Sequence, residues 1–187
     1  MIILASKSPR RQELMHRVCD AFIVDVSHID ESTSLNLSPL EAVKDIAKRK
    51  GLDIASRHKD DIVISADTIV VIDNMIIGKP KDEEDARRIL HLLSNRTHQV
   101  ITAFCLIQND RFYEEYVTSE VTFNELSDKL IIEYIKTGSP MDKAGAYGAQ
   151  DNDIYPIVKE IKGSLDNVIG FPVKEIKEAL DNFEKIA

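Results

Sequence analysis

Hydroxyl and cationic side chains cluster near the N-terminus, in residues 6–11, which read Ser-Lys-Ser-Pro-Arg-Arg. They follow an apolar run, 2–5, that predicts a buried strand, and the pair Ser8-Pro9 is typical of a helix start. A helix N-terminus presents free N–H groups and arginine presents a planar set of donors, so both suit phosphate oxygens. The segment is therefore a candidate phosphate site. The alternative is a capped helix with solvated basic side chains.

A carboxylate lies inside an otherwise apolar stretch, 61–72, whose two runs of β-branched residues predict central strand structure. A charge in such a place is costly unless it is paired, hydrogen-bonded or bound to a metal ion. Asp67 is therefore a candidate ligand of a divalent cation, or a candidate acceptor of a proton from an attacking water. The alternative is an aspartate at a bulge or strand end whose oxygens accept backbone N–H groups.

Three other charged residues and one loop are candidates, and each has a simpler interpretation. Lys79 lies in a tight loop, where it would neutralise a phosphate or simply be solvated. Lys50 belongs to a run of cations, 48–50, near the end of a predicted helix, where the helix dipole alone accounts for them. Glu31 is a candidate metal ligand or a solvated loop acid. The glycine-containing segment 142–150 allows close approach of backbone to a ligand, or forms a flexible surface turn.

Caps and apolar periodicity predict an α/β fold with a mixed sheet. Helices are predicted over residues 9–18, 39–56, 82–94, 126–136 and 172–183. Strands are predicted over residues 2–5, 22–26, 61–72, 97–108 and 112–123, the last two joined as a hairpin. No repeat, low-complexity tract or linker divides the chain, so we expect a single domain over residues 1–187.

Composition excludes several classes of protein. The 43% apolar content of 187 residues is enough to fill a core, and a net charge of -8 argues against a nonspecific nucleic-acid binder. Cys19 and Cys105 form no CxxC pair, which indicates neither a disulfide framework nor a zinc site. No uncharged apolar run is long enough to span a membrane, and no signal-peptide pattern is present. We therefore expect a soluble cytoplasmic protein without nucleic-acid or membrane partners.

Six segments, in this order, resemble the Maf family of nucleoside triphosphate pyrophosphatases over nearly the whole chain. They are Leu-Ala-Ser-Lys-Ser-Pro-Arg-Arg (4–11), Ala-Asp-Thr-Ile-Val (66–70), Gly-Lys-Pro (78–80), His-Gln-Val-Ile-Thr-Ala (98–103), Asp-Lys-Ala-Gly-Ala-Tyr-Gly (142–148) and Asn-Val-Ile-Gly-Phe-Pro (167–172). The resemblance implies a fold like that of the inosine triphosphate pyrophosphatases, with two lobes and the nucleotide in a central cleft. It also implies a divalent cation, Mg²⁺ or Mn²⁺, on the phosphates. Some members of the family form homodimers.

The resemblance also assigns roles to individual residues. Asp67 would be the proton acceptor and would share the metal ion with Glu31, and Lys79 would act beside them in catalysis. The residues that would face the triphosphate are Ser6, Arg10, Arg11, Lys50 and Lys79. The segments at 66–68 and 142–148 are similar to those of the branch that acts on dTTP and UTP. The positions that would set base specificity, and would also contact the substrate, are Arg10, Thr68 and Gln150.

This sequence departs from the usual family pattern beside one of those positions. Ala149 stands where a larger aliphatic residue is usual, and Asp151 stands where glycine is common. The function implied is hydrolysis of dTTP and UTP, or of modified pyrimidine nucleotides, to the monophosphate and pyrophosphate by metal-assisted attack of water on the α-phosphate. The rival hypothesis is a nucleotide-binding regulator of cell division that does not turn its nucleotide over.

Overall fold

The structure, a computed structural model, describes residues 1–33 and 36–186. In this part the chain forms a mixed sheet with helices, which confirms the predicted α/β class. The strands are β1 (Ile2–Ala5), β2 (Ile23–Val24), β3 (Ile62–Ile72), β4 (Met75–Ile77), β5 (Thr97–Gln108), β6 (Arg111–Phe123) and β7 (Val158–Lys162). The helices are α1 (Pro9–Met15), α2 (Pro39–Ala55), α3 (Glu83–Leu93), α4 (Asp128–Lys136), α5 (Leu165–Ile169) and α6 (Val173–Lys185).

The sheet has the strand order β2-β1-β3-β5-β6-β7, and β4 pairs with β3. β1 is parallel to both β2 and β3, whereas β4 and β7 are antiparallel to their neighbours. The last residue of β1 pairs with β3 at Ser65, so Asp67 lies two residues beyond the end of β1. The chain leaves β1 at this point and enters α1, which brings the 6–11 segment to the same part of β3.

The predicted helix starts are confirmed by their caps. The side chains of Ser8, Ser38 and Ser127 each accept a hydrogen bond from the backbone N–H three residues later. At α2 the capping box is complete, because Glu41 also accepts the backbone N–H of Ser38. A turn at residues 73–74 connects β3 to β4.

The chain forms two compact units, and each consists of segments that are distant in sequence. The first unit is Met1–Thr68, Thr102–Val117 and Gly170–Ala187, and the second is Ile69–Ile101 and Thr118–Ile169. The core of the second unit is built on β3 to β6 with α3 and α4, and its large fully buried residues include Leu90, Leu93, Phe123 and Tyr134. None of the helices in the described ranges is long and apolar enough to cross a membrane.

In the first unit, α2 lies close to β3 at a glycine. Gly51 is buried inside the helix, and a Cβ at this position would lie 2.6 Å from Ser65 Oγ and 2.8 Å from Ile107 Cδ1. The Ser65 hydroxyl cannot move away freely, because it is buried and donates to Ala47 O at 2.7 Å. The absence of a side chain at Gly51 therefore sets the distance between helix and strand.

Gly51→Ala is expected to destabilise the protein although alanine is the better helix former. Helix propensity favours alanine by about 1 kcal/mol, but overpacking a filled core costs about 1–3 kcal/mol. We expect a net loss of about 1 kcal/mol in the free energy of unfolding, measured by urea denaturation. Gly78→Ala is the control, since no atom lies within 4 Å of the added Cβ and the residue has no positive φ. A Gly51→Ala variant more stable than wild type would contradict the prediction.

A neutral histidine lies in the core of the second unit. His98, on β5, is 2% exposed, and its Nε2 is 2.7 Å from the hydroxyl of Tyr147, which is also buried. Its Nδ1 is buried and has no hydrogen-bond partner in the described part of the chain. Burial lowers the pKa of His98 from 6.5 to about 4. The imidazole is therefore neutral in the folded protein at neutral pH.

His98 is expected to weaken the fold as the pH falls. The unfolded chain binds a proton at this residue below pH 6.5, whereas the folded chain does so only near pH 4, so stability is lost between these values. At pH 5 the loss is about 2 kcal/mol relative to neutral pH. His98→Gln keeps a donor for Tyr147 but does not titrate. From pH 7 to pH 5 the free energy of unfolding of wild type should therefore fall by about 2 kcal/mol more than that of the variant. Parallel pH curves for the two proteins would refute the expectation.

Candidate active site

The predicted phosphate segment forms a tight turn at the start of α1. Ser6 is buried, and its Oγ accepts the backbone N–H of Ser8 at 3.2 Å. Ser8 in turn caps the helix by accepting the backbone N–H of Arg11 at 3.4 Å. This geometry places Arg10 and Arg11 in the first helical turn, where the positive end of the helix dipole disfavours cations. Some other interaction must therefore compensate for two arginines here.

The Arg11 guanidinium is held by three acceptors of the first unit. Its Nε donates to Gly170 O at 2.8 Å, its Nη1 to Ala66 O at 3.0 Å, and its Nη2 to Thr68 Oγ1 at 3.0 Å. Burial lowers the pKa of Arg11 below its usual value, and the charge of Asp67 acts in the opposite direction. The guanidinium still keeps its proton, as arginine does in proteins. Arg11 therefore connects α1 to β3 on both sides of Asp67 and to the segment before α6.

Alternation along β3 turns Ser65 and Asp67 to the face that α2 covers. Ser65 donates to Ala47 O of α2, and one turn further along the helix Lys50 Nζ lies 3.0 Å from Asp67 Oδ1. The side chains of Lys50 and Asp67 are each 13% exposed. The carboxylate is thus satisfied by a partly buried cation of α2. The alternative of an aspartate bound only by backbone N–H groups is wrong.

The same ammonium group also contacts the loop acid Glu31, at 3.0 Å from Lys50 Nζ to Glu31 Oε1. The two carboxylates therefore approach each other to within twice that distance. α2 continues for five residues beyond Lys50, so the position of this lysine is explained by its two acidic partners and not by the helix dipole.

A neighbouring arginine holds the loop that carries Glu31. Arg49 donates through Nη1 to Asp30 O at 2.6 Å and through Nη2 to Ser32 O at 2.8 Å, the residues on either side of Glu31. Its Nε donates to Asp45 Oδ2 at 2.8 Å. Sequence reasoning assigned no role to Arg49, because a helical arginine that binds two loop carbonyls leaves no pattern in the chain.

Thr68 and Thr102 form a second pair of side chains that sequence reasoning did not bring together. Thr102 is fully buried on β5, and its Oγ1 lies 2.8 Å from Thr68 Oγ1. With the bond from Arg11 and a longer one to Gly170 O at 3.4 Å, the Thr68 hydroxyl is surrounded by protein groups. Thr102 and Gly170 do occur in the family segments at 98–103 and 167–172, but those segments alone gave them no role.

Two of the predicted site residues belong to the second unit. Lys79 is exposed and follows Gly78, whose carbonyl accepts the backbone N–H of Gly145 at 3.2 Å. Gln150 is exposed in a 3₁₀ turn, Ala149–Asp151. The 142–150 segment is not a simple surface turn, since Gly145, Ala146 and Tyr147 within it are buried.

The predicted site residues of the first unit are assembled around one carboxylate. Lys50 contacts both Asp67 and Glu31, and the charges of both carboxylates act on Arg11. Thr68 follows Asp67 on the strand. Ser6 shapes the turn before α1, and Arg10 lies half-buried in the first turn of that helix. Two carboxylates with neighbouring cations can bind a metal ion together with an anionic ligand. In the described ranges no group of three or more metal-ligating side chains occurs.

Comparison with solved structures identifies the class of fold. The structure of the Staphylococcus aureus Ham1 protein superposes with a TM-score of 0.54 at 14% identity, over 97% of this chain and 98% of that one. This likeness confirms the expected inosine triphosphate pyrophosphatase-like fold.

Comparison of sequences then identifies the family. The sequence model of the family described as Maf-like protein matches residues 1–183. The dTTP/UTP pyrophosphatase of Clostridium beijerinckii is 48% identical over 87% of this chain and 88% of its own length. That of Pyrococcus furiosus is 46% identical over 80% of this chain and 78% of its own length. The chain belongs to the Maf family.

Proposed function

We propose that this protein hydrolyses dTTP and UTP to the nucleoside monophosphate and pyrophosphate. The relatives named above support the reaction and the choice of nucleotide. The observation that carries the proposal is the cluster around Asp67, in which two carboxylates converge on the Lys50 ammonium group, at 3.0 Å each, beside the Arg11 guanidinium. A polyphosphate and its cation require this combination of anionic and cationic side chains.

The carboxylates of Glu31 and Asp67 fit a divalent cation, Mg²⁺ or Mn²⁺. Hard oxygen donors suit these ions, and Mg²⁺ is usually bound by one or two carboxylates together with substrate phosphates. Both carboxylates already approach a single positive group, the ammonium of Lys50. Such an ion would supply charge neutralisation on the phosphate oxygens.

Asp67 is the proposed proton acceptor. Its Oδ1 is paired with Lys50, whereas no group among the described residues donates to its Oδ2. In the proposed step the oxygen of a water molecule bonds to the α-phosphorus while Asp67 takes a proton from that water. The bond from the α-phosphorus to the bridging oxygen breaks, and pyrophosphate leaves with the electron pair.

The remaining site residues are proposed to bind the substrate. Cationic groups stabilise charge that develops on the phosphates, and positioning with electrostatics supplies most of the catalysis of such reactions. The proposed phosphate ligands are Ser6, Arg10, Arg11, Lys50 and Lys79. The three acceptors of Arg11 use one N–H each on Nε, Nη1 and Nη2, so two of its five N–H groups are left to donate to a phosphate. The proposed determinants of base specificity are Arg10, Thr68 and Gln150.

The test is release of pyrophosphate from a panel of canonical and modified nucleoside triphosphates. Each nucleotide is assayed with Mg²⁺, with Mn²⁺ and with a chelator. We expect turnover that requires the metal ion and favours dTTP and UTP. Tight binding of nucleotides without turnover of any of them would replace this proposal with the non-hydrolysing regulator. Equal turnover of purine and pyrimidine nucleotides would contradict the proposed base specificity but not the proposed reaction.

We also propose that the enzyme acts in the cytoplasm, where nucleoside triphosphates are available. The homodimer that family membership suggests stays a prediction, which light scattering of the purified chain tests.

A further inference from the structure

The segment that carries Gln150 is a single 3₁₀ turn, Ala149–Asp151, in the second unit. The Gln150 side chain is exposed, and its amide has no hydrogen-bond partner within residues 1–33 and 36–186, so it is available to a ligand. A 3₁₀ turn of three residues has little stability of its own, and no side chain caps this one. Other groups must therefore fix the direction in which Gln150 points.

The hydroxyl of Tyr134 joins the two ends of this turn. It accepts the backbone N–H of Gly148 at 2.9 Å, before the turn, and donates to Asp151 Oδ2 at 2.6 Å, at its end. Tyr134 belongs to α4 and is fully buried in the core of the second unit. Burial and the hydrogen bond to Asp151 raise the pKa of this tyrosine, so the phenol keeps the proton that it donates.

A second arm reaches the same carboxylate oxygen from the turn that follows α4. Ser139 Oγ donates to Asp151 Oδ2 at 2.6 Å. Lys143 Nζ donates to Ser139 Oγ at 3.1 Å and to Ser139 O at 2.6 Å. The Lys143 stem also packs over Gly148, where a Cβ would lie 2.8 Å from Lys143 Cε and 3.1 Å from Asp151 Oδ2. Asp151 thus connects the turn to two separate elements.

We propose that Asp151 is a positioning residue that orients Gln150 for selection of the nucleotide base, a proposal that rests on the proposed function. Asp151 adjoins Gln150 in the chain, and its Oδ2 receives two short hydrogen bonds from a buried phenol and a serine. Loss of this carboxylate frees the end of the turn, and the Gln150 amide then samples several directions. A misplaced specificity group weakens binding of the preferred base more than it slows the chemistry at the α-phosphate.

The test compares Asp151→Ala, Tyr134→Phe and Asp151→Asn with wild type. We measure KM and kcat for dTTP and for dGTP, and the dissociation constants of both nucleotides in the presence of Ca²⁺. Asp151→Ala and Tyr134→Phe should raise KM for dTTP by about tenfold, with kcat within about threefold, and should lower the preference for dTTP over dGTP by about tenfold. Asp151→Asn should restore the preference, because an amide oxygen accepts both hydrogen bonds in place of Oδ2.

Several outcomes would overturn the proposal. One is an unchanged preference for dTTP in folded Asp151→Ala and Tyr134→Phe, and another is an Asp151→Asn variant as impaired as Asp151→Ala. If wild type binds the nucleotides but releases no pyrophosphate, the proposed function fails, and the ratio of the two dissociation constants still decides the role of Asp151. If wild type binds neither nucleotide, both proposals are overturned.

Discussion

Asp67→Asn is expected to lower the rate constant for pyrophosphate release from dTTP by about 10²- to 10⁴-fold, the range that a positioned general base contributes. The amide cannot take up a proton, and it loses the negative charge that a divalent cation requires. The shape of the side chain is kept, and its oxygen still accepts from Lys50, so the fold should persist. The rate is measured at saturating dTTP with Mg²⁺, and circular dichroism checks the fold.

A carboxylate outside the site provides the matched control for this substitution. Asp73 lies on the turn after the same strand, is 54% exposed, and contacts Arg96 Nη2 at 2.7 and 2.8 Å. Its positive φ is one that asparagine also adopts, so Asp73→Asn should leave the rate within about twofold of wild type. Wild-type turnover by a folded Asp67→Asn variant would exclude Asp67 as the proton acceptor.

Arg11→Ala is expected to reduce the free energy of unfolding by about 4.5 kcal/mol, since each of its three hydrogen bonds from a charged donor contributes about 1.5 kcal/mol. The substitution leaves the carbonyls of Gly170 and Ala66 and the hydroxyl of Thr68 without this donor. It also disconnects α1 from β3 next to Asp67, so we expect turnover to fall in the fraction that stays folded. Urea denaturation gives the stability, and pyrophosphate release below the transition gives the activity.

Lysine is not an adequate substitute at this position, because its point charge cannot reproduce three planar donors. The control is Arg88→Ala on α3, whose side chain is 63% exposed and, among residues 1–33 and 36–186, pairs only with Asp85. A surface pair of this kind contributes less than about 1 kcal/mol. Equal losses of stability in Arg11→Ala and Arg88→Ala would show that the three acceptors do not hold the fold together.

The regular elements of this fold are predictable where the signal is local. Serine caps followed by proline mark the starts of α1 and α2, and apolar periodicity marks α3 and α4. The structure ends the first helix at Met15 and reduces the second strand to two residues, Ile23–Val24, since element ends carry weaker signals. β7 and α5 were not predicted, because a five-residue edge strand and a five-residue helix have too few residues to show a period.

The charged members of the candidate site could be named from the sequence, whereas the contacts between them could not. Asp67 is recognisable because a carboxylate between β-branched runs requires a partner. The partner itself is not, since Lys50 resembles any helical lysine until the helix is placed on the strand. The same holds for Arg49, Thr102 and Asp151, which contact backbone carbonyls or hydroxyl groups of other segments. Such pairings follow from topology and leave no spacing rule in the sequence.

The guanidinium of Arg11 has a consequence for how the protein is made. Its acceptors lie 55 and 159 positions further along the chain, at Ala66 and Gly170, and the first unit itself comprises three segments of which the last starts at Gly170. A nascent chain emerging from the ribosome lacks the last of these acceptors until residue 170 has emerged. Contacts between such distant residues form late. The surroundings of Asp67 are therefore completed only after residue 170 has left the ribosome, and chains that end before it should carry no nucleotide-hydrolysing activity.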